Sequence, residues 1–216
     1  MTPIAHRLHP RFRRRLAICA LLAIGLGGCS ALPDKPMRPQ AYDLGPALPV
    51  AASTAPTGPA LGLARVMAPA DLDGQHFIYR LSYSDSAQQP RPYAQANWAM
   101  SPPLLLEQRL RAALAATRPV VAAASGLAQI ELRAELDEFA QDFTSATASD
   151  GVVRLRVTAI APMARTNRLL GQRTFTARKP APTADASGGA AALRDATDDV
   201  VNQVVVWVNA LPASAN

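Results

Sequence analysis

The segment AQIELRAELD, residues 128–137, alternates strictly between apolar and polar side chains. Ile130, Leu132, Ala134 and Leu136 fall on one face and Gln129, Glu131, Arg133 and Glu135 on the other, the period of two that a half-buried strand requires. Leu132, Leu136, Phe139 and Phe143 also recur at helical spacing, so a helix stays open as the alternative. If the segment is a strand, Phe139 breaks the alternation, and a bulge near Asp137–Glu138 is the cheapest repair.

Outward from this segment the same period returns. In residues 151–161 (GVVRLRVTAIA), Val153, Leu155, Val157 and Ala159 face inward, and Arg154, Arg156 and Thr158 face outward. Residues 169–178 (LLGQRTFTAR) follow across a loop at 162–168 and are expected to pair with the preceding strand as a hairpin. Beyond the Pro/Ala/Gly-rich segment 180–190, a last helix runs to about Leu211. Its stripe is Leu193, Thr197, Val200, Val201, Val204, Trp207 and Val208, and its valines lower helix propensity, so packing must hold it.

Upstream, residues 61–66 (LGLARV) and 77–83 (FIYRLSY) read as strands separated by the turn-like stretch 69–74. In the second, Phe77, Tyr79, Leu81 and Tyr83 face one way and Ile78, Arg80 and Ser82 the other. Residues 84–100 read as a loop carrying the isolated aromatics Tyr93 and Trp98. Ser101-Pro102-Pro103 supplies an N-cap and a proline suited to a first helical turn, and Leu106, Leu110, Ala113 and Leu114 continue at helical spacing.

The first 28 residues carry a different signal. Residues 7–15 (RLHPRFRRR) are basic, residues 16–26 (LAICALLAIGL) are apolar, and Gly27 and Gly28 precede Cys29. This is the order of a secretory leader. Eleven apolar residues are too few for a spanning helix, which takes about 20. Leu26-Gly27-Gly28-Cys29 matches the lipobox of bacterial lipoproteins: small side chains admit the backbone to a peptidase, and the Cys29 thiol accepts the lipid. Cleavage before Cys29 and acylation of its thiol are therefore expected, with multiple acyl chains giving stable anchoring. Ser30, rather than Asp, follows the cysteine, which favours the periplasmic face of the outer membrane over the inner membrane.

Charge has to be read by position. The formal net charge of +6 falls to +1 once the five arginines of the leader, which holds no acidic residue, are set aside. The basic excess therefore does not support nucleic-acid binding. Both cysteines lie within the first 29 residues, so no disulfide is expected in the domain. With 5% aromatic residues, the core must be built from Leu, Val and Ala. Residues 30–41 (SALPDKPMRPQA) read as an extended tether, Tyr42–Leu44 as a short apolar segment, and residues 45–60 as a loop.

The ordered features resemble those of the ABC-transporter auxiliary lipoproteins, the family that includes the lipoprotein of paraquat-inducible, MCE-type transport systems. The carriers are Tyr42-Asp43-Leu44-Gly45, Phe77-Ile78-Tyr79-Arg80-Leu81-Ser82-Tyr83, and the spacing of Tyr93 and Trp98 ahead of Pro102-Pro103. They continue with Leu132-Arg133-Ala134-Glu135-Leu136, Phe139-Ala140-Gln141-Asp142-Phe143 and Trp207. The resemblance implies a mixed sheet with helices packed on it. With the elements above it predicts a single α/β domain, bordering on α+β, of about five to six strands and two main helices over residues 61–211. The signal peptide (1–28) and the lipid-anchored tether (29–60) precede it. The resemblance also implies a non-catalytic periplasmic subunit working with an MCE-domain protein and an ABC permease and ATPase in moving lipid or another hydrophobic substrate. A homo-oligomer is a further partner arrangement left open. The competing reading is an envelope lipoprotein that activates or scaffolds a cell-wall synthase or an outer-membrane assembly machine.

No catalytic, metal or cofactor site is expected. His76 is the one histidine beyond the leader, and no nucleophile or metal-ligand spacing accompanies it. Asp195, Asp198 and Asp199 read as a solvated helix face, and Arg133, Arg154 and Arg156 as solvent-facing strand residues. Tyr93 and Trp98 are the candidates for partner contact, since loop aromatics often anchor interfaces; the alternative is that both fold back onto the sheet.

Overall fold

The computed structural model describes residues 38–46, 58–163 and 166–211. The leader, the lipobox residues Leu26, Gly27, Gly28 and Cys29, the tether to Met37 and most of the 45–60 loop lie outside the described residues.

A long antiparallel meander forms the backbone of the fold: β6 (Ile130–Phe143), β7 (Ser149–Ala161) and β8 (Arg168–Pro180). The alternation in 128–137 is thus that of a strand, and the helical register is not used. The register places Leu136 beside Leu155 and Leu155 beside Phe175, so the apolar faces of all three strands coincide. A register shift between Leu136 and Glu138 is the expected bulge. It returns Phe139 to the buried face with Leu132, Ala134 and Leu136.

The other side of β6 is shared by two short parallel pairings. Its start pairs with β2 (Leu61–Leu63), which in turn pairs with β5 (Val120–Ala122). Its end pairs with β3 (His76–Leu81), which continues to β4 (Arg91–Trp98) and then to β1 (Gln40–Tyr42). The result is an eight-stranded mixed sheet. Three of its strands are not announced by local pattern: β1 lies mainly in the Pro-rich segment expected to be a tether, β4 in the stretch 84–100 expected to be a loop, and β5 between the helix starting at Pro102 and β6. Each is short or rich in small polar residues, so its pairing comes from neighbours distant in the chain rather than from its own pattern.

Two helices cover the apolar face, α1 (Pro102–Ala115) and α2 (Ala186–Asn209). Ser101 stands at the start of α1 in extended conformation; its carbonyl, not its hydroxyl, accepts from Leu104 and Leu105. Leu106, Leu110 and Leu114 of α1 join Leu193, Val200 and Val204 of α2 and the inward residues of β6 and β7 in one core. Burying each such side chain is worth about 1.5–3 kcal/mol, which is how a valine-rich helix is held.

α2 begins within the segment that read as loop, because Asp185 caps it. The Asp185 carboxylate accepts the Gly188 N–H at 2.8 Å. Glycines then allow close approach to the sheet: a Cβ on Gly151 of β7 would lie 2.5 Å from the backbone of Ala192 and Leu193. The opposite face of the sheet carries ion pairs between strands. Arg154 meets Glu138 at 2.8 Å, Arg156 meets Asp137 at 2.7 Å, and Arg178 meets Asp142 and Asp150 at 2.9 and 3.0 Å. Such half-exposed pairs contribute little stability, but they mark this face as the solvated one.

Candidate functional site

Trp98 ends β4 with its side chain 1% exposed. It stacks on Phe77 at 4.6 Å and meets Phe139 edge-on at 5.2 Å. Of the two readings of Trp98, folding back onto the sheet is the one found, and partner contact is corrected: the core encloses Trp98 and leaves it no surface to offer. Tyr93 sits five residues earlier, half-buried, 5.2 Å from Phe77 and 4.7 Å from Tyr79. Its hydroxyl donates to Gln141 Oε1 at 2.8 Å. Burial, reinforced by Tyr79 and Asp185 nearby, pushes the Tyr93 phenol up to about 12.

Gln141 is fully buried, and its amide completes a polar knot under the start of α2. Nε2 donates to Ser149 Oγ at 2.7 Å and to the Asp185 carbonyl at 3.0 Å. Gly189 leaves the space for it, since a Cβ there would lie 2.2 Å from Oε1. β4, β6, β7 and α2 therefore converge on one side chain, and every buried polar atom of that side chain is satisfied.

A second polar centre lies where the N-terminal segment enters the fold. Arg109 on α1, 6% exposed, donates through Nη1 to the Pro46 carbonyl at 2.8 Å and through Nη2 to the Leu44 carbonyl. Its Nε lies 3.2 Å from Asp198 Oδ1 on α2. Burial raises the Asp198 carboxyl above its ordinary value, against the lowering effect of Arg109. One guanidinium thus ties the chain after β1 to both helices. Asp198 is accordingly not the solvated residue expected from sequence. Asp199 pairs with Lys179 at 2.6 Å and Asp195 with Arg194 at 2.8 Å. These residues line an open hollow of roughly 730 Å³ beside Gly45 and Pro46.

The signal for Arg109 was present in the sequence. It lies between Leu106 and Leu110, on the buried side of the α1 stripe, where a charge needs a partner. Its partner on α2 could not be named from spacing. His76 opens β3 exposed to solvent. Among the described residues no group of three or more His, Cys, Asp or Glu side chains is placed to hold a metal ion. Among them, too, no helix is long and apolar enough to cross a membrane.

Residues 42–205, from the end of β1 to the last turns of α2, match the family described as the ABC-type transport auxiliary lipoprotein component. The chain belongs to this family. An auxiliary lipoprotein of this family is a membrane-anchored envelope protein that serves an ABC-type transporter as an auxiliary component. No curated protein matches the chain. Among solved structures, a protein from Xanthomonas campestris is similar with a TM-score of 0.63 at 19% identity, over 80% of this chain and 93% of its own. An uncharacterized protein follows with a TM-score of 0.61 at 16% identity, over 79% and 99%. A hypothetical protein from Chlamydia trachomatis has a TM-score of 0.50 at 10% identity, over 74% and 100%. At these identities the auxiliary lipoprotein shares a fold with them.

Proposed function

We propose that this auxiliary lipoprotein is anchored through lipid on Cys29 to the periplasmic face of the outer membrane. There it is a non-catalytic interaction subunit of an MCE/ABC-type system, working with an MCE-domain protein and the ABC permease and ATPase. The system moves lipid or another hydrophobic substrate between membranes. The observation that carries this reading is the family match over residues 42–205 standing directly behind the lipobox Leu26-Gly27-Gly28-Cys29. Placement at the outer membrane draws on Ser30, and the leader's apolar run of eleven residues supports removal rather than retention as an anchor.

The shape of the domain fits a docking role. Its core is filled by its own side chains, and its polar centres, around Gln141 and Arg109, are internally satisfied. The chemistry it offers is surface. The test is affinity isolation of the full chain from membranes under conditions that preserve assemblies. Co-purification of an MCE-domain protein with its permease and ATPase is the expected result. Recovery of a peptidoglycan synthase without any MCE-domain protein would overturn it.

A further inference from the structure

The described surface is uneven at one end. Register places the start of β6, the end of β7, the start of β8 and the C-terminal turns of α2 together: Glu131 lies opposite Ile160, Ala161 opposite Arg168, and a Cβ on Gly171 would touch the Trp207 ring at 3.4 Å. Four of the six most exposed large apolar side chains fall at this end. They are Leu127 just before β6 (71% exposed), Met163 just after β7 (58%), Leu169 on β8 (62%) and Val206 on α2 (70%). Between Val206 and β8 runs an open groove of about 400 Å³, walled by Trp207, Phe175 and Arg173.

Along β8 and the last turns of α2 the charge has one sign, and Glu131 at the start of β6 is buried and accepts the Ala124 N–H. Residues 166–180 contain three arginines and one lysine and no acidic residue, Arg178 and Lys179 standing at the far end of β8, and residues 200–211 carry no charge at all. Arg178 and Lys179 are occupied by Asp142, Asp150 and Asp199. Arg168 and Arg173 make no ion pair among the described residues, and Arg173 lies over the Phe175 ring at 5.3 Å.

We infer that this end of the domain docks on an anionic lipid surface. Apolar side chains, a tryptophan at the border between wet and dry, and arginines whose long stems reach past apolar neighbours are the combination that a headgroup boundary accommodates. Anionic headgroups would neutralise Arg168 and Arg173 while Leu169, Val206 and Trp207 enter the acyl boundary. A second copy is the poorer fit, because a symmetric contact through this patch would set arginines against arginines. The inference rests in part on the proposed lipid on Cys29, which would keep the domain within reach of the surface.

The test uses the full processed chain incorporated in vesicles of phosphatidylcholine alone or with phosphatidylglycerol, with brominated acyl chains as quenchers of tryptophan emission. Trp98 is enclosed, so a change reports Trp207, and Trp207→Phe verifies this. The expected result is quenching in phosphatidylglycerol vesicles, several-fold less in phosphatidylcholine, and abolished by the exposed double substitution Leu169→Glu and Arg173→Glu with circular dichroism unchanged. Equal emission in both vesicle types, or quenching that survives the double substitution, overturns the inference. Density-dependent crosslinking between copies at position 169, without quenching, overturns it in favour of a self-interface. Flotation with the vesicles reports the Cys29 anchor separately. If the chain does not float, the same two vesicle types added to the unanchored chain still decide the patch.

Discussion

The Tyr93 hydroxyl donates to Gln141 Oε1 at 2.8 Å and joins β4 to β6 beneath the capped end of α2. Removing that hydroxyl leaves a buried acceptor without its partner, while Nε2 of the same amide stays bound to Ser149 and Asp185. Tyr93→Phe should therefore cost about 1–3 kcal/mol. Chemical denaturation compared with wild type measures it, and an unchanged midpoint would show that the bond carries no net stability.

The same phenol sets an alkaline limit. Its value near 12 in the folded state exceeds the ordinary 10.0, so the folded form holds a proton that the unfolded form releases. Unfolding free energy should then fall as pH rises from about 10 toward 12. Tyr93→Phe is expected to flatten that slope, and thermal midpoints taken across this range would reveal it.

Arg109 predicts an asymmetry. Asp198→Ala leaves a buried guanidinium with two carbonyls and no counter-charge, a loss at or somewhat below the about 3–5 kcal/mol found when one partner of a buried pair is removed. The joint change Arg109→Met with Asp198→Ala should be milder than the single one, since no charge is stranded. A double-mutant cycle read by calorimetry tests this, and strict additivity would contradict it.

Acid should loosen the start of α2. Hydrogen bonds from the Gly188 N–H first, and then from Thr183, hold the Asp185 carboxyl below its ordinary 3.8. Asp199 is held low by Lys179 and Gln203. Stability from both is present above the ordinary carboxylate value and is lost as pH falls through their lowered values. Asp198, shifted upward, acts in the opposite direction. Asp185→Asn keeps a cap and should lessen the acid sensitivity, whereas Asp185→Ala should cost about 1 kcal/mol even at neutral pH.

Gly151→Ala meets backbone rather than a movable side chain, at 2.5 Å from Ala192 and Leu193. Overpacking of this kind should cost about 1–3 kcal/mol or more and push α2 off β7. Hydrogen exchange of the α2 amides would report the displacement.

For the anchor, Cys29→Ala should yield unprocessed or released protein. Membrane fractionation that finds it retained at the outer membrane would exclude lipid on Cys29 as the attachment.

Much of this molecule follows from local pattern. Leu132, Leu136, Val153, Leu155 and Val157 announce their strands because backbone geometry alone puts alternate side chains on one face. The bulge after Leu136 was legible for the same reason, since Phe139 had to return to the apolar side. The stripe Leu193 to Val208 was equally readable, from its period. Arg91–Trp98 was not. RPYAQANW has little apolar periodicity, and it becomes a strand because β3 and β1 supply hydrogen bonds from either side. That pairing turned Trp98 from a candidate surface anchor into the centre of an aromatic core and gave Tyr93 its partner in Gln141. It is also tertiary structure that sets Arg109 beside Asp198 and gathers Leu169, Arg173 and Trp207 at one end. Period and motif belong to neighbouring residues, whereas the partner of a buried charge and the exposure of an aromatic ring depend on atoms the chain brings together only when it folds.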